Sequence, residues 1–342
     1  MKVVSIGGGT GLSALLRGLK FHLAEPSRPA RFKPAVSRLT AVVTVTDEGG
    51  SSGRLRREFQ IPPPGDIRNC MVALAEDEKL FTRLFNYRFK NGRNLAGHSF
   101  GNLFLAALTN LTHDFAKAVR VSSEVLAIRG EIFPSTLSDV RLKARLHDGR
   151  ILIGETNIAK TDVAIRRLQI VPARCRPLPE TLAAIEEADL ITLGPGSLYT
   201  SLIPNLLVHG IPEQIARSKA LKVYVANLMT QPGETRGYTA ADHVRALSEH
   251  AGGKLFDHVV MNAQPISPAL RKRYLVEEAE PVVIDLREIR SLGVDPICAN
   301  LLDENRVARH DSTRLAQLLL DLAAQHSGRK RPYRHGASTS GK

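Results

Sequence analysis

Cysteine is scarce in this chain: Cys70, Cys175 and Cys298 are its three, far apart and without CxxC spacing. That excludes a disulfide framework and a cysteine-based zinc site, and it fits a reducing compartment, so a cytoplasmic location is expected. Long apolar runs are also missing. None approaches the ~20 residues of a membrane-crossing helix, and the first apolar run ends in glycine too soon to serve as a secretory leader. Aromatic residues amount to 5% and are not interleaved with the basic ones. With no nucleic-acid-binding motif, nucleic acid is a poor candidate partner despite a net charge of +13. Five of those charges, on Arg329, Lys330, Arg331, Arg334 and Lys342, fall in residues 327–342, where no apolar period survives. That stretch is expected to be a disordered basic tail.

What is present describes a globular protein, with 43% hydrophobic and 24% charged residues. Length alone suggests about two domains or one large α/β domain with additions, and the motif order favours one domain over 1–326. The chain opens with Val3, Val4 and Ile6, a short β-branched run. It is broken at once by Gly7-Gly8-Gly9-Thr10-Gly11, after which Leu12, Leu15, Leu16 and Leu19 recur at helical spacing. Strand, glycine loop and helix in that order leave the first N–H groups of the helix free for an anion. The loop is neither a Walker A motif, since no Gly-Lys-Ser/Thr follows, nor a clean GxGxxG, since position 12 is Leu.

A loop at the carboxyl end of a candidate strand returns three times. A strand over Leu39 to Val45 runs into TDEGGSSG from Thr46. Leu190 to Leu193 runs into Gly194-Pro195-Gly196-Ser197, with Thr200 close behind. Lys222 to Ala226 runs into the loop that carries Asn227 and Gln231. Ligands in open α/β sheets bind outside the carboxyl ends of the strands, so the four loops are expected to form one pocket. The predicted ligand contacts are Gly8, Gly9, Thr10, Gly11, Gly194, Pro195, Gly196, Ser197, Thr200, Asn227 and Gln231. Asp47 and Asp66 have two readings, a turn residue and a helix cap, or a pair holding Mg²⁺ beside substrate phosphates. Asn102, at the start of a helix apolar nearly all round, is either a core amide or a ligand contact; the neighbouring His98 reads as structural. Two glycine cradles beside a possible carboxylate pair suit a diphosphate, hence a nucleotide or nucleotide sugar, and no organic cofactor is called for.

Between these parts, Lys79 to Ile128 reads as three helices. Val140 to Asn157 reads as a β-hairpin turned by Asp148-Gly149, with Ile165 to Val171 as a third strand. The expected fold is therefore α/β, a Rossmann-like doubly wound, mainly parallel sheet, with a small antiparallel subdomain inserted at about 138–172. Phe256 to Met261 and Val282 to Ile284 are the last strand candidates. Asp311 reads as the cap of a final helix, and Pro26 to Pro34 as a variable loop.

The segments GGGTGLS from Gly7, TDEGGSSGRLR from Thr46, PGDIRN from Pro64, GHSFGN from Gly97, LGPGSLYTS from Leu193 and NLMTQPGET from Asn227 together resemble the YvcK family. This gluconeogenesis-factor branch stands within the CofD-like superfamily, whose CofD branch transfers a 2-phospholactyl group from a guanosine diphosphate carrier to a deazaflavin. The resemblance implies a cytoplasmic bacterial protein that binds UDP-N-acetylglucosamine and supports cell shape and peptidoglycan supply on gluconeogenic carbon, with a protein partner in wall-precursor synthesis. It carries over Asp47 and Asp66 as metal ligands, and Tyr274 and Arg309 as sugar-nucleotide contacts. No catalytic residue is implied. A Mg²⁺-dependent transferase of the CofD type and an NAD(P)-binding protein are the alternatives, the latter opposed by the distance of Asp47 from the glycines. The oligomeric state, a homo-oligomer included, is left open.

Overall fold

The computed structural model describes residues 1–24, 35–92, 94–305 and 307–330. The loop at Pro26 to Pro34 and the tail beyond Lys330 lie outside the described residues. The strands are β1 (Lys2–Gly7), β2 (Arg38–Val43), β3 (Glu131–Pro134), β4 (Arg141–Leu146), β5 (Ile151–Ile153), β6 (Ile165–Val171), β7 (Leu190–Leu193), β8 (Leu221–Val225), β9 (His258–Asn262) and β10 (Asp295–Ala299). Seven of them form one sheet in the order β10-β9-β8-β7-β1-β2-β3, with every neighbouring pair parallel. The chain moves outward from β1 to β3 and then returns to its other side at β7. The sheet is thus doubly wound, and the reversal next to β1 opens a crevice at the carboxyl ends.

Side chains alternate between the faces of a strand, and β1 feeds both cores. Val3 packs with Leu12, Leu15, Leu16 and Leu19 of α1 (Gly9–Lys20) and with Leu315 and Leu319 of the final helix, Ser312–Lys330. Val4 and Ile6 join Ile191, Leu193, Tyr224 and Leu247 on the opposite face. A strand covered on both sides needs a nearly continuous apolar run, and the one polar residue within it, Ser5, accepts a hydrogen bond from the Thr192 hydroxyl at 3.0 Å.

After β2 come α2 (Gly50–Phe59), α3 (Gly65–Leu74), α4 (Glu78–Phe85), α5 (Phe100–Thr112) and α6 (Phe115–Val125). The last three are the helices expected from Lys79 onward. Helix α5 is buried on one face only: Leu105 and Ala106 are inside, whereas Leu111 is 77% exposed. Its apolar circumference overstated its burial because α5 packs against α2, α3, α4 and α6 on one side and leaves the other open.

The insertion is a three-stranded antiparallel sheet in the order β5-β4-β6, closed by the short helix α7 (Glu155–Ile158). Leu142, Ala144, Leu168 and Ile170 share one core with Val4 and Ile6. Arg56 of α2 ties the insertion to the body, donating to the Asp139 carboxylate at 2.8 Å and to the Val140 carbonyl at 2.6 Å.

Two expectations need correction, and one strand was not foreseen. Val282 to Ile284 forms no strand, only an isolated bridge between Val283 and Thr239. The sheet's edge is instead β10, whose Asp295, Pro296 and Cys298 hide it from propensity but are tolerated where one side of a strand is unpaired. Finally, the terminal helix continues through Ser327 to Lys330, past the expected end of order at 326. Its start is as anticipated, with Asp311 accepting the Thr313 and Arg314 N–H groups at 3.0 Å each. No helix among the described residues is long and apolar enough to cross a membrane.

Helix α1 and the final helix meet backbone to backbone at Gly18, where a Cβ would sit 1.9 Å from the Ser312 carbonyl oxygen. Gly18→Ala should therefore cost about 1–3 kcal/mol by forcing the helices apart. A lower urea midpoint with an unchanged slope is expected; an unchanged midpoint would show that this contact is slack.

Candidate functional site

Three of the four loops converge as expected. Those after β1, β7 and β8 line a cleft of about 550 Å³ containing Gly8, Gly9, Thr10, Gly11, Pro195, Gly196, Ser197, Asn227 and Gln231. Tyr274, from the helix Pro268–Val276, and Arg309, from a β-ribbon whose strands are Leu302–Glu304 and Ala308–His310, line the same cleft. These two residues are tied together because the Tyr274 hydroxyl accepts the Ala308 N–H at 3.0 Å. Arg309 itself is exposed.

Close packing explains two of the glycines. A Cβ on Gly11 would lie 2.3 Å from the Pro195 carbonyl oxygen, and one on Gly8 would lie 2.6 Å from Thr44 Cγ2 and 2.7 Å from Asp66 Oδ2. Their bareness lets neighbouring loops touch the β1 loop, which is a different requirement from the approach of a ligand. Helix α1 starts without a side-chain cap from Gly8 and without an acidic residue in its first turn; Asp66 takes the Gly9 N–H, and the N–H groups that follow are left for an anion.

Opposite Gly8, Ser197 Oγ accepts a hydrogen bond from Gln231 Nε2 at 2.9 Å, and Asn227 Oδ1 receives the Gly196 N–H at a long 3.4 Å. Gly194 and Thr200 are buried and do not line the cleft. The Thr200 hydroxyl donates to Glu234 Oε1 at 2.7 Å, and the same carboxylate accepts the Tyr199 N–H at 2.8 Å. Glu234 therefore anchors the turn after Ser197. Burial raises its pKa above the usual carboxylate value, against the pull of those bonds.

The fourth loop, after β2, opens into a separate recess of about 250 Å³ lined by Asp47, Ser51, Ser52, Asp66, Arg68, Arg88 and Asn102. One pocket was expected; there are two, divided by Gly8 and Asp66. Asp66 is not a helix cap, because α3 begins at Gly65 with Pro64 in the capping position. Instead it accepts the Gly9 N–H, while burial first and the Asp47 charge second push its pKa up to about 7. Asp47 lies within reach of Gly65, where a Cβ would sit 2.6 Å from its Oδ2. Asn102 is 2% exposed, donates to Ser52 Oγ at 3.3 Å, and its Oδ1 has no donor.

Two carboxylates and an unmatched amide oxygen form an oxygen-rich donor set that fits Mg²⁺, an ion that keeps several waters and takes only one or two carboxylates from a protein. Among the described residues no larger His/Cys/Asp/Glu group could chelate an ion alone.

Sequence reasoning missed several contributors. Glu155 comes from the insertion, and its pKa is raised by burial and then by Asp47 and Glu234; nothing local to α7 signals that. His98 is indeed buried, but it is bonded through Nδ1 to Ser51 Oγ at 2.9 Å, a pairing across 47 positions that spacing could not reveal. His310 lines the cleft with its pKa lowered to about 4 by burial.

A family model described as 2-phospho-L-lactate transferase CofD matches residues 3–302. The gluconeogenesis factor of Bacillus subtilis is 48% identical over 322 residues, spanning 94% of this chain and 98% of that protein. The gluconeogenesis factor of Halalkalibacterium halodurans is 46% identical over 320 residues, spanning 93% and 95%. A crystal structure of a UPF0052-family protein from Bacillus halodurans, 46% identical, has a TM-score of 0.87 over 93% of this chain and 99% of the other.

The raised pKa of Asp66 has a consequence for stability. Between its unfolded value of 3.8 and about 7, the folded chain holds a proton that the unfolded chain has released. Stability contributed by this group thus falls as pH rises through that window, by at most about 4 kcal/mol for a shift of roughly three units. Asp66→Asn should be the more stable protein at pH 8 without divalent cations, and its advantage should shrink toward pH 4. Urea unfolding at several pH values checks this, and a constant difference across the window would contradict it.

Proposed function

The chain belongs to the CofD family, in its gluconeogenesis-factor branch, and on that premise we propose that it is a regulatory protein that binds UDP-N-acetylglucosamine. The observation that carries this reading is the convergence on one cleft of the α1 N-terminus, the Gly196-Ser197 turn and the Asn227 to Gln231 loop, with Tyr274 and Arg309 on the same cleft. A diphosphate would lie at the positive helix end, while the side-chain amides, Tyr274 and Arg309 offer polar contacts to the nucleoside and sugar. Cell shape and wall-precursor supply during gluconeogenic growth are the processes it would serve, through a protein partner that reads the occupied cleft.

Binding rather than turnover is favoured by the cleft's chemistry. Among the described residues lining it there is no lysine, and no hydroxyl is paired with a histidine as a nucleophile would be. A second reading, metal-dependent group transfer, has one observation of its own: the Asp47–Asp66 pair borders the cleft across Gly8. Those carboxylates and Asn102 would hold Mg²⁺, whose chemistry would be to neutralise charge on a phosphate. Turnover of a nucleotide-diphosphate-linked donor that needs Mg²⁺ and is lost in an Asp47→Asn/Asp66→Asn double variant would select this reading.

Thermal unfolding with added UDP-N-acetylglucosamine tests the primary reading. Ligand at a hundredfold its Kd should add about 2.7 kcal/mol of stability. Arg309→Ala removes a charged contact worth about 1.5–3 kcal/mol, so affinity should fall roughly ten- to a hundredfold. The ligand-free stability of that variant should not change, since Arg309 is exposed and forms no ion pair among the described residues. Absence of any shift in the wild type would remove the reading.

A further inference from the structure

The recess beside the cleft is lined by charges of both signs, Asp47 and Asp66 together with Arg68 and Arg88. Arg68 is 8% exposed; its Nη1 donates to Ser99 Oγ at 2.8 Å and its Nη2 to Asn69 Oδ1 at 2.8 Å, while its Nε has no acceptor. Arg88, at the exposed rim, donates to the Gly97 carbonyl at 3.0 Å. Neither arginine forms an ion pair with a carboxylate among the described residues, although every buried guanidinium is costly without one.

The remaining donors stand around the same space. Ser51 is held by His98 at 2.9 Å, Ser52 lies next to it, and α2 begins at Gly50 with no side chain capping its free N–H groups. We propose that this recess is a second ligand site, distinct from the cleft, which takes a phosphate-class oxyanion through Arg68, Arg88, Ser51 and the start of α2. Two arginines, a hydroxyl and helix N–H groups provide more donors than the two oxygens of a carboxylate can use, whereas a phosphate can accept from all of them. A small phosphorylated metabolite bound there would be separated from an occupant of the cleft only by Gly8 and Asp66, so the protein would sense two ligands side by side.

The test is a ³¹P NMR titration of inorganic phosphate into the purified full-length protein, with acetate as the control anion. Saturable phosphate binding is expected in the wild type. It should be at least tenfold weaker in Arg88→Gln and in Ser51→Ala, and unchanged in Arg309→Ala, whose lesion lies in the cleft. Arg88→Gln is the primary variant because that side chain is exposed and the fold does not rest on it; circular dichroism checks this. The proposal is overturned by lack of saturation, by equal affinity in wild type and Arg88→Gln, by weakening in Arg309→Ala instead, or by acetate binding as tightly as phosphate. Phosphate binding that depends on Arg88 in a protein that ignores UDP-N-acetylglucosamine would sink the nucleotide-sugar reading and leave this one standing.

Discussion

Contact between three loops at the carboxyl edge of the sheet is the constraint on which the rest depends. Strand β1 is paired in parallel with β2 on one side and β7 on the other, so the segments that follow these strands leave the sheet next to one another. Room for them exists only because the β1 loop has no side chains where its neighbours press. A methyl group at Gly11 would overlap the Pro195 carbonyl, and one at Gly8 would overlap Thr44 and Asp66. The glycines permit a tight junction, and the junction in turn sets the α1 terminus against the Ser197 turn. Asp66 takes the Gly9 N–H at this helix end, and neither the N-cap residue Gly8 nor an acidic side chain in the first turn occupies the N–H groups that follow.

Charge is distributed around that junction with a consistent logic. The cleft side carries one cationic side chain, Arg309, on a ribbon positioned by Tyr274. Beneath Gly8 lies Asp66 with Asp47 nearby, joined by Glu155 from the insertion and Glu234 from the β8 loop, and burial raises the pKa values of Asp66, Glu155 and Glu234. The inserted sheet is therefore more than an appendage. It shares the core of the main sheet, is clamped by Arg56, and brings both Glu155 and the Ala159 backbone to the rim of the site. A Cβ at Gly233 would strike the Ala159 carbonyl at 2.0 Å, so this wall is as closely fitted as the junction itself.

Much of the fold was legible because its signals are local. A β-branched run followed at once by glycine and then by leucines at helical spacing specifies strand, turn and helix without knowledge of the rest, and four strands that each run into a polar or glycine-rich loop announce a parallel sheet with loops on one edge. The antiparallel insertion was readable from the alternation of Val140 to Leu146. Illegible features depend on distance. Nothing near Thr46 says that its loop turns into its own recess, or that Thr200 gives its hydroxyl to Glu234 thirty-four positions on. Strand β10 was hidden by Pro296 and Cys298, since edge positions relax the very propensities used to find strands. The length of the final helix was obscured by Ser327 and Gly328, which weaken intrinsic helicity while leaving the packed face from Leu315 to Ala323 intact.

Hydrogen–deuterium exchange with and without UDP-N-acetylglucosamine tests most directly whether these loops act as one ligand site. The account predicts simultaneous slowing of amides at residues 8–11, 196–201, 227–234 and 308–310, segments far apart in the chain and joined only through the cleft. Protection restricted to one of them, or located away from the carboxyl edge of the sheet, would contradict it.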